Sequence, residues 1–338
     1  MIDFSTQYLG LKLSGPIVVS GTPLSENIDN VKRMEDAGAA AVVLVSLFEE
    51  QLALESKALD EDLSRGTDSF AESLGYLPDL SDYRMTQEVY LNHLRKCKEA
   101  VKIPVMASLN GATTGGWVRF AQDVEQAGAD AIELNTYALA TNKDQTSAIL
   151  EGQLLELVSA VTSAVKVPVS VKLMRSFTSI PHLVSQLEDA GAKGVVLFNR
   201  FYQPDFDIET LEVRPTLHFS TPSELLPRLH WAAILYGNMK ADLAITGGVH
   251  SAEDVLKGIM AGAGITMMAS ALHIHGIEHI KRVLDDMQYW LEKREYTSLW
   301  ETRGCLSRRS VPDVSPFDRG NYIKTLSSYS LRQTTGAF

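Results

Sequence analysis

Cysteine is scarce in this sequence, and no long apolar run occurs. With only Cys97 and Cys305 among 338 residues, neither a disulfide framework nor a Cys-x-x-Cys metal pair can form, which favours a reducing cytoplasm and a protein without a metal site. No apolar stretch approaches the ~20 residues of a membrane helix. The N-terminal segment MIDFSTQYLG lacks the basic start and apolar core of a secretion signal. We therefore expect a cytoplasmic protein that does not bind membranes.

Basic residues are also in the minority. The chain has 31 Lys and Arg against 42 Asp and Glu, which gives a formal net charge of −11. Such a surface repels phosphate backbones, so we expect a small-molecule ligand and no nucleic acid partner. Hydrophobic residues make up 45% of the chain, which is enough for one large α/β barrel or for two ordinary domains.

An internal repeat gives the clearest information on the fold. In each copy the end of an amphipathic helix is followed by Ala-Gly-Ala and then by an apolar run: EDAGAAAVVL, EQAGADAIEL, EDAGAKGVVL and the weaker MAGAGITMMA. The glycine of each copy is predicted to end its helix in a left-handed cap, and the run after it is typical of a parallel strand covered on both faces. These glycines are Gly38, Gly128, Gly191 and Gly262.

Eight apolar strands alternate with eight helical segments. This pattern predicts an α/β fold, the TIM (β/α)₈ barrel, and its even repetition argues against the alternative of an open doubly wound sheet with one switch point. The predicted strands are 16–20, 40–46, 105–108, 131–135, 167–173, 194–199, 243–247 and 265–270. The predicted helices are 26–37, 87–101, 116–127, 146–164, 180–190, 223–236, 252–261 and 276–293.

Two insertions and a tail extend this minimal barrel. The acidic segment 49–83 follows the second strand, and 201–222 follows the sixth and contains DFDIETLEV, whose weak alternation predicts a small hairpin. Both insertions are expected at the C-terminal face, where the active sites of such barrels lie. We divide the chain into a barrel domain, 1–304, and a polar C-terminal tail or arm, 305–338.

Glycines and a hydroxyl follow the last two predicted strands. Gly247 and Gly248 end the seventh strand, and Ala269 and Ser270 end the eighth. Backbone N–H groups at such turns can approach an anion closely, and barrels commonly hold a phosphate at these two strand ends. The pattern favours a phosphate site, with a simple tight turn as the alternative.

A single lysine interrupts the fifth predicted strand. Lys172, in VSVKL, is costly to bury unless an anionic group receives it. At a strand end of the barrel, that group is expected to be a cofactor or an enolate. The alternative is a lysine at the edge of the core that extends its ammonium group to solvent.

Three asparagines stand at or just beyond other strand ends. They are Asn110, Asn135 and Asn199, and their amides offer both donors and acceptors. Together they favour a polar planar ligand. After the first strand, Gly21 next to Ser20 would let a flat ring lie close to the backbone.

In their order and spacing, these pieces resemble the dihydroorotate dehydrogenase family, most closely its class 1 branch, over roughly residues 4–305. The resemblance implies a noncovalent flavin mononucleotide (FMN) and the oxidation of a C–C bond in dihydroorotate or a related small ring, as in pyrimidine biosynthesis, with hydride passing to the flavin. A homodimer is also expected. The resemblance is carried by Ser20-Gly21-Thr22-Pro23, the run ending at Asn135, Val-Ser-Val-Lys ending at Lys172, Asn199, Thr-Gly-Gly-Val ending at Val249 and Ala-Ser-Ala-Leu ending at Leu272.

Roles for individual residues follow from the same resemblance. The substrate is expected to contact Asn135, Asn199 and Arg200, and Lys172 is expected to stabilise the reduced, anionic flavin. The predicted cofactor contacts are Ser20, Gly21, Ser46, Asn110, Asn135, Lys172, Asn199, Gly247, Gly248, Ala269 and Ser270.

The substrate loop departs from the family pattern. Where class 1 members carry a catalytic cysteine, this chain has Ala138, which cannot accept a proton. The nearest candidates for proton transfer are Tyr137 and Thr141, and both would need activation, for example by Lys172. Within the first insertion, Glu72 and Asp79 stand where the resembling family carries asparagines, and both would repel an anionic carboxylate.

Three functions therefore stay open. The first is an FMN oxidoreductase that acts on a small ring. The second is a flavin-binding partner or regulatory protein with little turnover. The third is a flavin-free barrel lyase or isomerase on a phosphorylated substrate, in which Lys172 would form a Schiff base. The electron acceptor is not indicated, because neither a GxGxxG motif after a strand nor a cysteine set for an iron–sulfur cluster occurs.

Overall fold

A computed structural model describes residues 2–48, 87–110, 114–137 and 139–335, and its centre is a closed parallel barrel. Eight parallel strands close into a ring in the order β3, β4, β6, β7, β8, β9, β12 and β13, because β3 pairs with both β4 and β13, and β4 with β6. The strands are β1 (Thr6–Tyr8), β2 (Leu11–Leu13), β3 (Ile17–Val19), β4 (Ala41–Val43), β5 (Leu47–Phe48), β6 (Val105–Asn110), β7 (Ala131–Asn135), β8 (Val169–Leu173), β9 (Gly194–Leu197), β10 (Asp205–Asp207), β11 (Glu212–Arg214), β12 (Asp242–Thr246) and β13 (Ile265–Met268).

Helices surround this barrel, and the predicted TIM barrel is confirmed. The predicted helix 276–293 is in fact preceded by a separate short helix directly after β13. The helices are α1 (Ile28–Asp36), α2 (Gln87–Ala100), α3 (Thr114–Gln126), α4 (Ser147–Ala164), α5 (Ile180–Asp189), α6 (Leu225–Leu235), α7 (Ala252–Ala261), α8 (Ser270–His275), α9 (His279–Glu292) and α10 (Gly320–Thr335).

The internal repeat has a structural role that goes beyond its glycines. All four repeat glycines have positive φ, as expected for left-handed caps. In addition, the glutamate three residues before the glycine accepts two backbone N–H bonds in three copies. Glu35 accepts from residues 102 and 103, Glu125 from 166 and 167, and Glu188 from 240 and 241, at 2.5–3.1 Å. Each carboxylate thus fixes the start of a later strand against the end of its own helix.

An N-terminal hairpin closes one end of the barrel. β1 and β2 pair antiparallel around the turn at Leu9 and Gly10. Tyr8 and Leu9 are buried and pack in a cluster with residues of the barrel interior such as Val18 and Met267. The larger core lies between the strands and the helices. The sequence did not predict this hairpin, because three-residue strands carry almost no periodicity.

The second insertion contains the predicted hairpin, in which β10 and β11 pair antiparallel. The first insertion, 49–83, lies outside the described residues. The tail begins in contact with the barrel helices: Leu306 N–H donates to the carbonyl of Met260, and Ser307 is fully buried. Its distal part forms α10 rather than an irregular arm. Within the described ranges, no helix is long and apolar enough to cross a membrane.

Candidate active site

The carboxyl ends of the barrel strands enclose a small cavity of about 90 Å³, which we call the cradle cavity. This volume accommodates a phosphate group, whereas whole ligand sites occupy roughly 300–1,000 Å³. The cavity brings together residues from five strand ends that are far apart in sequence. Of the predicted site residues, it is lined by Ser20, Gly21, Lys172, Asn199, Arg200, Gly247, Gly248, Ala269 and Ser270.

The two glycines after β12 cannot be replaced without strain. Gly247 and Gly248 have φ of +86° and +81°, a region that residues with a Cβ rarely adopt. A Cβ on Gly248 would lie 2.5 Å from the backbone nitrogen of Leu225, and one on Gly247 would lie 2.7 Å from a guanidinium nitrogen of Arg228. Glycine at both positions therefore lets the start of α6 and the Arg228 side chain approach the turn closely.

Arg228 lies directly behind this turn, and the sequence analysis did not identify it. Its guanidinium donates to the carbonyl oxygens of Thr246 and Glu224, and only 6% of the residue is exposed. Burial lowers the pKa of Arg228 to about 10, so the side chain stays cationic at neutral pH. The turn thus receives positive charge from the protein interior.

Ser220 also lies in the cradle cavity and had no signal in the sequence. Its hydroxyl accepts the N–H of Gly248 at 3.3 Å, and its own N–H donates to the hydroxyl of Ser270 at 3.0 Å. The ring of His250 lies 3.4 Å from the same hydroxyl, and burial lowers the pKa of this histidine. A polar oxygen therefore already occupies one position that the backbone donors offer.

The start of the helix that follows β12 is capped by side chains of the protein. Ser251 is the N-cap of α7, and its hydroxyl accepts the N–H of Asp254. The carboxylate of Asp254 in turn accepts the N–H groups of His250 and Ser251 at 3.0 and 2.9 Å. This capping box satisfies the helix start from within the protein, which leaves the glycine turn as the main anion-binding element.

The anionic partner of Lys172 differs from the expectation. Its Nζ donates to Oε1 of Glu133 at 3.3 Å, and the two side chains are 10% and 1% exposed. A cofactor or an enolate was the expected anionic partner; in the structure, Lys172 pairs with a carboxylate from the neighbouring strand β7. Lys172 still lines the cradle cavity, and an ammonium group has two further N–H donors.

A chain of polar side chains crosses the barrel mouth from β4 to β9. The Ser46 hydroxyl lies 2.8 Å from that of Ser108 and accepts an amide N–H of Asn135 at 3.2 Å. The amide of Asn199 donates to the carbonyl oxygen of the Asn135 side chain. Asn110 is the register partner of Asn135. The three predicted asparagines therefore meet around one part of the barrel mouth, although only Asn199 lines the cradle cavity.

The candidate proton-transfer residues lie farther out. The Tyr137 hydroxyl accepts the N–H of Tyr202 at 3.4 Å, and their rings lie 6.5 Å apart. Burial is the main cause of the raised pKa of Tyr202. Thr141 is exposed on the loop after β7, and Ala138 lies outside the described residues. Neither Tyr137 nor Thr141 lines the cradle cavity.

The geometry is that of a TIM-barrel enzyme with its site at the carboxyl ends of the strands. Comparison with known proteins specifies the family. Residues 84–291 match the family model described as dihydroorotate dehydrogenase, which covers more than half of the chain. The chain therefore belongs to the dihydroorotate dehydrogenase family and is an oxidoreductase, a dehydrogenase of the class that acts on CH–CH groups.

Individual relatives extend over most of the chain. The catalytic subunit of dihydroorotate dehydrogenase B (NAD(+)) from Thermoplasma acidophilum is 24% identical over 91% of this chain and all of its own length. The corresponding subunit from Methanocaldococcus jannaschii is 23% identical over 86% of this chain and 94% of its own. Dihydropyrimidine dehydrogenase (NADP(+)), chloroplastic, from Arabidopsis thaliana is 21% identical over 89% of this chain and 76% of its own length.

Proposed function

We propose that this chain is an FMN-dependent dehydrogenase that oxidises a C–C bond of dihydroorotate or a related small ring. The observation that carries the proposal is the cradle cavity, where the glycine turn after β12, the start of α8 and Lys172 face one another. The names of the relatives, dihydroorotate and dihydropyrimidine dehydrogenases, support a ring of this chemical type.

The residues present fit a flavin mononucleotide. The turn at Gly247 and Gly248 carries backbone donors, of which the N–H of Gly248 donates to the Ser220 hydroxyl, and Ser270 adds a hydroxyl, so a phosphate would fit here by taking the place of that contact. At the opposite side of the cavity, a Cβ on Gly21 would lie 3.0 Å from the carbonyl oxygen of Leu44. Glycine at this position therefore lets the chain after β3 lie close to the end of β4, with no side chain beside the cavity. These groups would hold the phosphate and border the ring.

The chain's own residues would bind and orient, whereas FMN, when bound, supplies a hydride acceptor. Lys172 would place positive charge at the flavin, and Glu133 holds its Nζ in position. Asn135 and Asn199, joined by a hydrogen bond, would orient a ring through their remaining donors and acceptors. Proton transfer would use Tyr137, Thr141 or water, because alanine stands at the family's base position.

Anaerobic titration of the FMN-loaded protein with dihydroorotate tests this proposal. We expect the absorption band of oxidised flavin to bleach as dihydroorotate is added and to return when oxygen is admitted. Titration with dihydrouracil, which lacks the carboxylate, tests the alternative ring that the dihydropyrimidine dehydrogenase relative suggests. A flavin that neither compound reduces would contradict the proposal.

A second candidate is a flavin-binding protein with little turnover, and Ala138 is the observation that favours it. The chain would then bind FMN but reduce it very slowly. Ala138→Cys tests this candidate, because a cysteine at that position can accept a proton from the substrate, whereas alanine cannot. A large gain in the rate of flavin reduction by dihydroorotate would support the second candidate, and an unchanged rate would favour proton transfer by another group.

The assembly and the acceptor are part of the proposal as well. We propose a cytoplasmic homodimer, which sedimentation of the purified protein would test. The relatives' names specify different nicotinamide acceptors, so the acceptor is best identified by reoxidising the reduced protein with NAD(+), fumarate and a quinone in parallel.

A further inference from the structure

One buried side chain in the barrel interior departs from the pattern of the internal repeat. Five residues after the repeat glycine, the four copies carry Val43, Glu133, Val196 and Met267. The three apolar residues belong to the cluster inside the barrel, whereas Glu133 places a carboxylate at this position with only 1% of the residue exposed. Because an ionisable group is costly to bury, packing alone favours an apolar residue here. Glu133 therefore has a role that the barrel itself does not require.

The hydroxyl of Tyr8 lies at the same level of the barrel as Glu133. The strand register places Glu133, Ser170 and Gly194 side by side on β7, β8 and β9. A Cβ on Gly194 would lie 3.3 Å from the Tyr8 hydroxyl, so the N-terminal hairpin brings this tyrosine up to the row. Burial raises the pKa of Tyr8, the negative charge of Glu133 raises it further, and the Ser170 hydroxyl lowers it. The charge of Glu133 thus acts on Tyr8 within the barrel interior.

The two side chains have complementary hydrogen-bonding groups that nothing else uses. Neither the Tyr8 hydroxyl nor Oε2 of Glu133 has a hydrogen-bond partner among the residues that the structure describes. Both side chains are buried, and buried polar groups without partners are costly. A hydroxyl hydrogen rotates to suit its surroundings. Tyr8 can therefore turn its donor toward the carboxylate, which lacks one.

From this arrangement we infer that Tyr8 is a positioning residue of the active site: its hydroxyl stabilises the carboxylate charge of Glu133 and so sets how much positive charge Lys172 offers at the cradle cavity. The inference rests on the proposed function and adds to it a residue from the opposite end of the barrel. Oε1 of Glu133 accepts from Nζ of Lys172 at 3.3 Å, and Lys172 lines the cradle cavity. Tyr8 is not among the described residues that line that cavity, so its effect passes through Glu133.

The midpoint potential of the FMN-loaded protein tests this inference, because it depends on the positive charge beside the reduced flavin. Without the Tyr8 hydroxyl, Glu133 draws more strongly on Lys172. Tyr8→Phe should therefore weaken the binding of reduced relative to oxidised FMN about threefold, which lowers the potential by ~15 mV for a two-electron couple. Glu133→Gln removes the negative charge and should raise the potential. Tyr8→Phe added to Glu133→Gln should then change the potential no further.

Tyr236→Phe is the matched control, because it removes the same hydroxyl from a tyrosine that packs on Gly262 and Gly304, against the core outside the barrel interior. It should leave the potential unchanged. Urea denaturation shows whether each variant is folded, and Tyr8→Phe and Glu133→Gln should be non-additive in unfolding free energy.

Two results would overturn the inference while the proposed function stands. The first is a potential that Tyr8→Phe does not lower, or lowers equally with and without the Glu133 carboxylate. The second is additivity of the two changes in urea. A protein that takes up no FMN contradicts both the inference and the proposed function.

Discussion

Lys172 and Glu133 form an ion pair across two neighbouring strands of the barrel, with Nζ 3.3 Å from Oε1. The second carboxylate oxygen of Glu133 is buried and has no hydrogen-bond partner among the described residues. Ser108 donates to the first oxygen at 3.5 Å. The lysine at the centre of the proposed flavin site is therefore held by a group that belongs to the protein, before any ligand binds.

Loss of either partner should destabilise the fold. Lys172→Met leaves the Glu133 carboxylate buried without a counterion, which typically costs about 3–5 kcal/mol of unfolding free energy. The double variant Lys172→Met with Glu133→Gln removes both charges and should be more stable than the single variant. Urea denaturation of the wild type, both single variants and the double variant measures the coupling. Additive effects of the two changes would contradict a structural role for the pair.

The glycine turn after β12 should be essential for cofactor retention. In Gly248→Ala the new Cβ would lie 2.5 Å from the Leu225 backbone, and φ of +81° adds strain. We expect this variant to purify without FMN and to bind added FMN at least tenfold more weakly. Gly152→Ala makes the same chemical change on α4, where a Cβ has no neighbour within 4 Å, and should retain FMN. Equal FMN content in both variants would show that the turn is not the phosphate site.

The two thiols should differ in reactivity. Cys97 is buried on α2, and burial raises its pKa to about 11, so it carries little reactive thiolate at pH 8. Cys305 is exposed. Titration with a thiol reagent at pH 8 should modify one cysteine in the native protein and both after unfolding in guanidinium. Cys305→Ser keeps only the Cys97 thiol and should not react in the native state, and rapid modification of Cys97 in the folded wild type would contradict its burial.

Stability should fall in mildly acidic solution because of His250. Burial lowers the pKa of this histidine in the folded protein, so the unfolded chain binds a proton first as the pH decreases. The contribution of His250 is therefore complete above its unfolded pKa of about 6.5 and is lost as the pH falls toward the lower folded value. His250→Asn should show a smaller loss of unfolding free energy between pH 8 and pH 5 than the wild type.

His182→Asn is the control for this effect, because His182 is exposed on α5. Its loss of stability between the two pH values should match that of the wild type. If His250→Asn behaves in the same way as the control, His250 is not the group that links folding to protonation.

Local chemistry explains which parts of the fold could be predicted from the sequence. The Ala-Gly-Ala repeat predicted the caps at Gly38 and Gly128 because a left-handed helix end has a strong preference for glycine. The strand ends are less well defined. The predicted strand 40–46 is longer than β4, which ends at Val43. Leu44 stays buried and its N–H still donates to the carbonyl oxygen of Met106 at 2.9 Å, so an apolar run does not mark the residue at which the strand ends.

The contacts that complete the site depend on the three-dimensional fold. Glu133 and Lys172 are 39 residues apart, and Arg228 reaches the carbonyl of Thr246 from a helix that reads as an ordinary apolar segment. Glu133 and Arg228 have an unremarkable sequence context, so Lys172, Arg200 and the glycine turn could be predicted from the sequence, whereas the side chains that pack behind them could not.

The FMN content of the purified protein shows whether the cradle cavity binds FMN. The protein is purified without added flavin, its absorption spectrum is recorded, and FMN is then added back in a fluorescence titration. We expect a yellow protein, or a colourless one that takes up equimolar FMN with quenching of flavin fluorescence, and loss of that uptake in Gly248→Ala but not in Gly152→Ala. A folded protein that is colourless and binds no added FMN would contradict it.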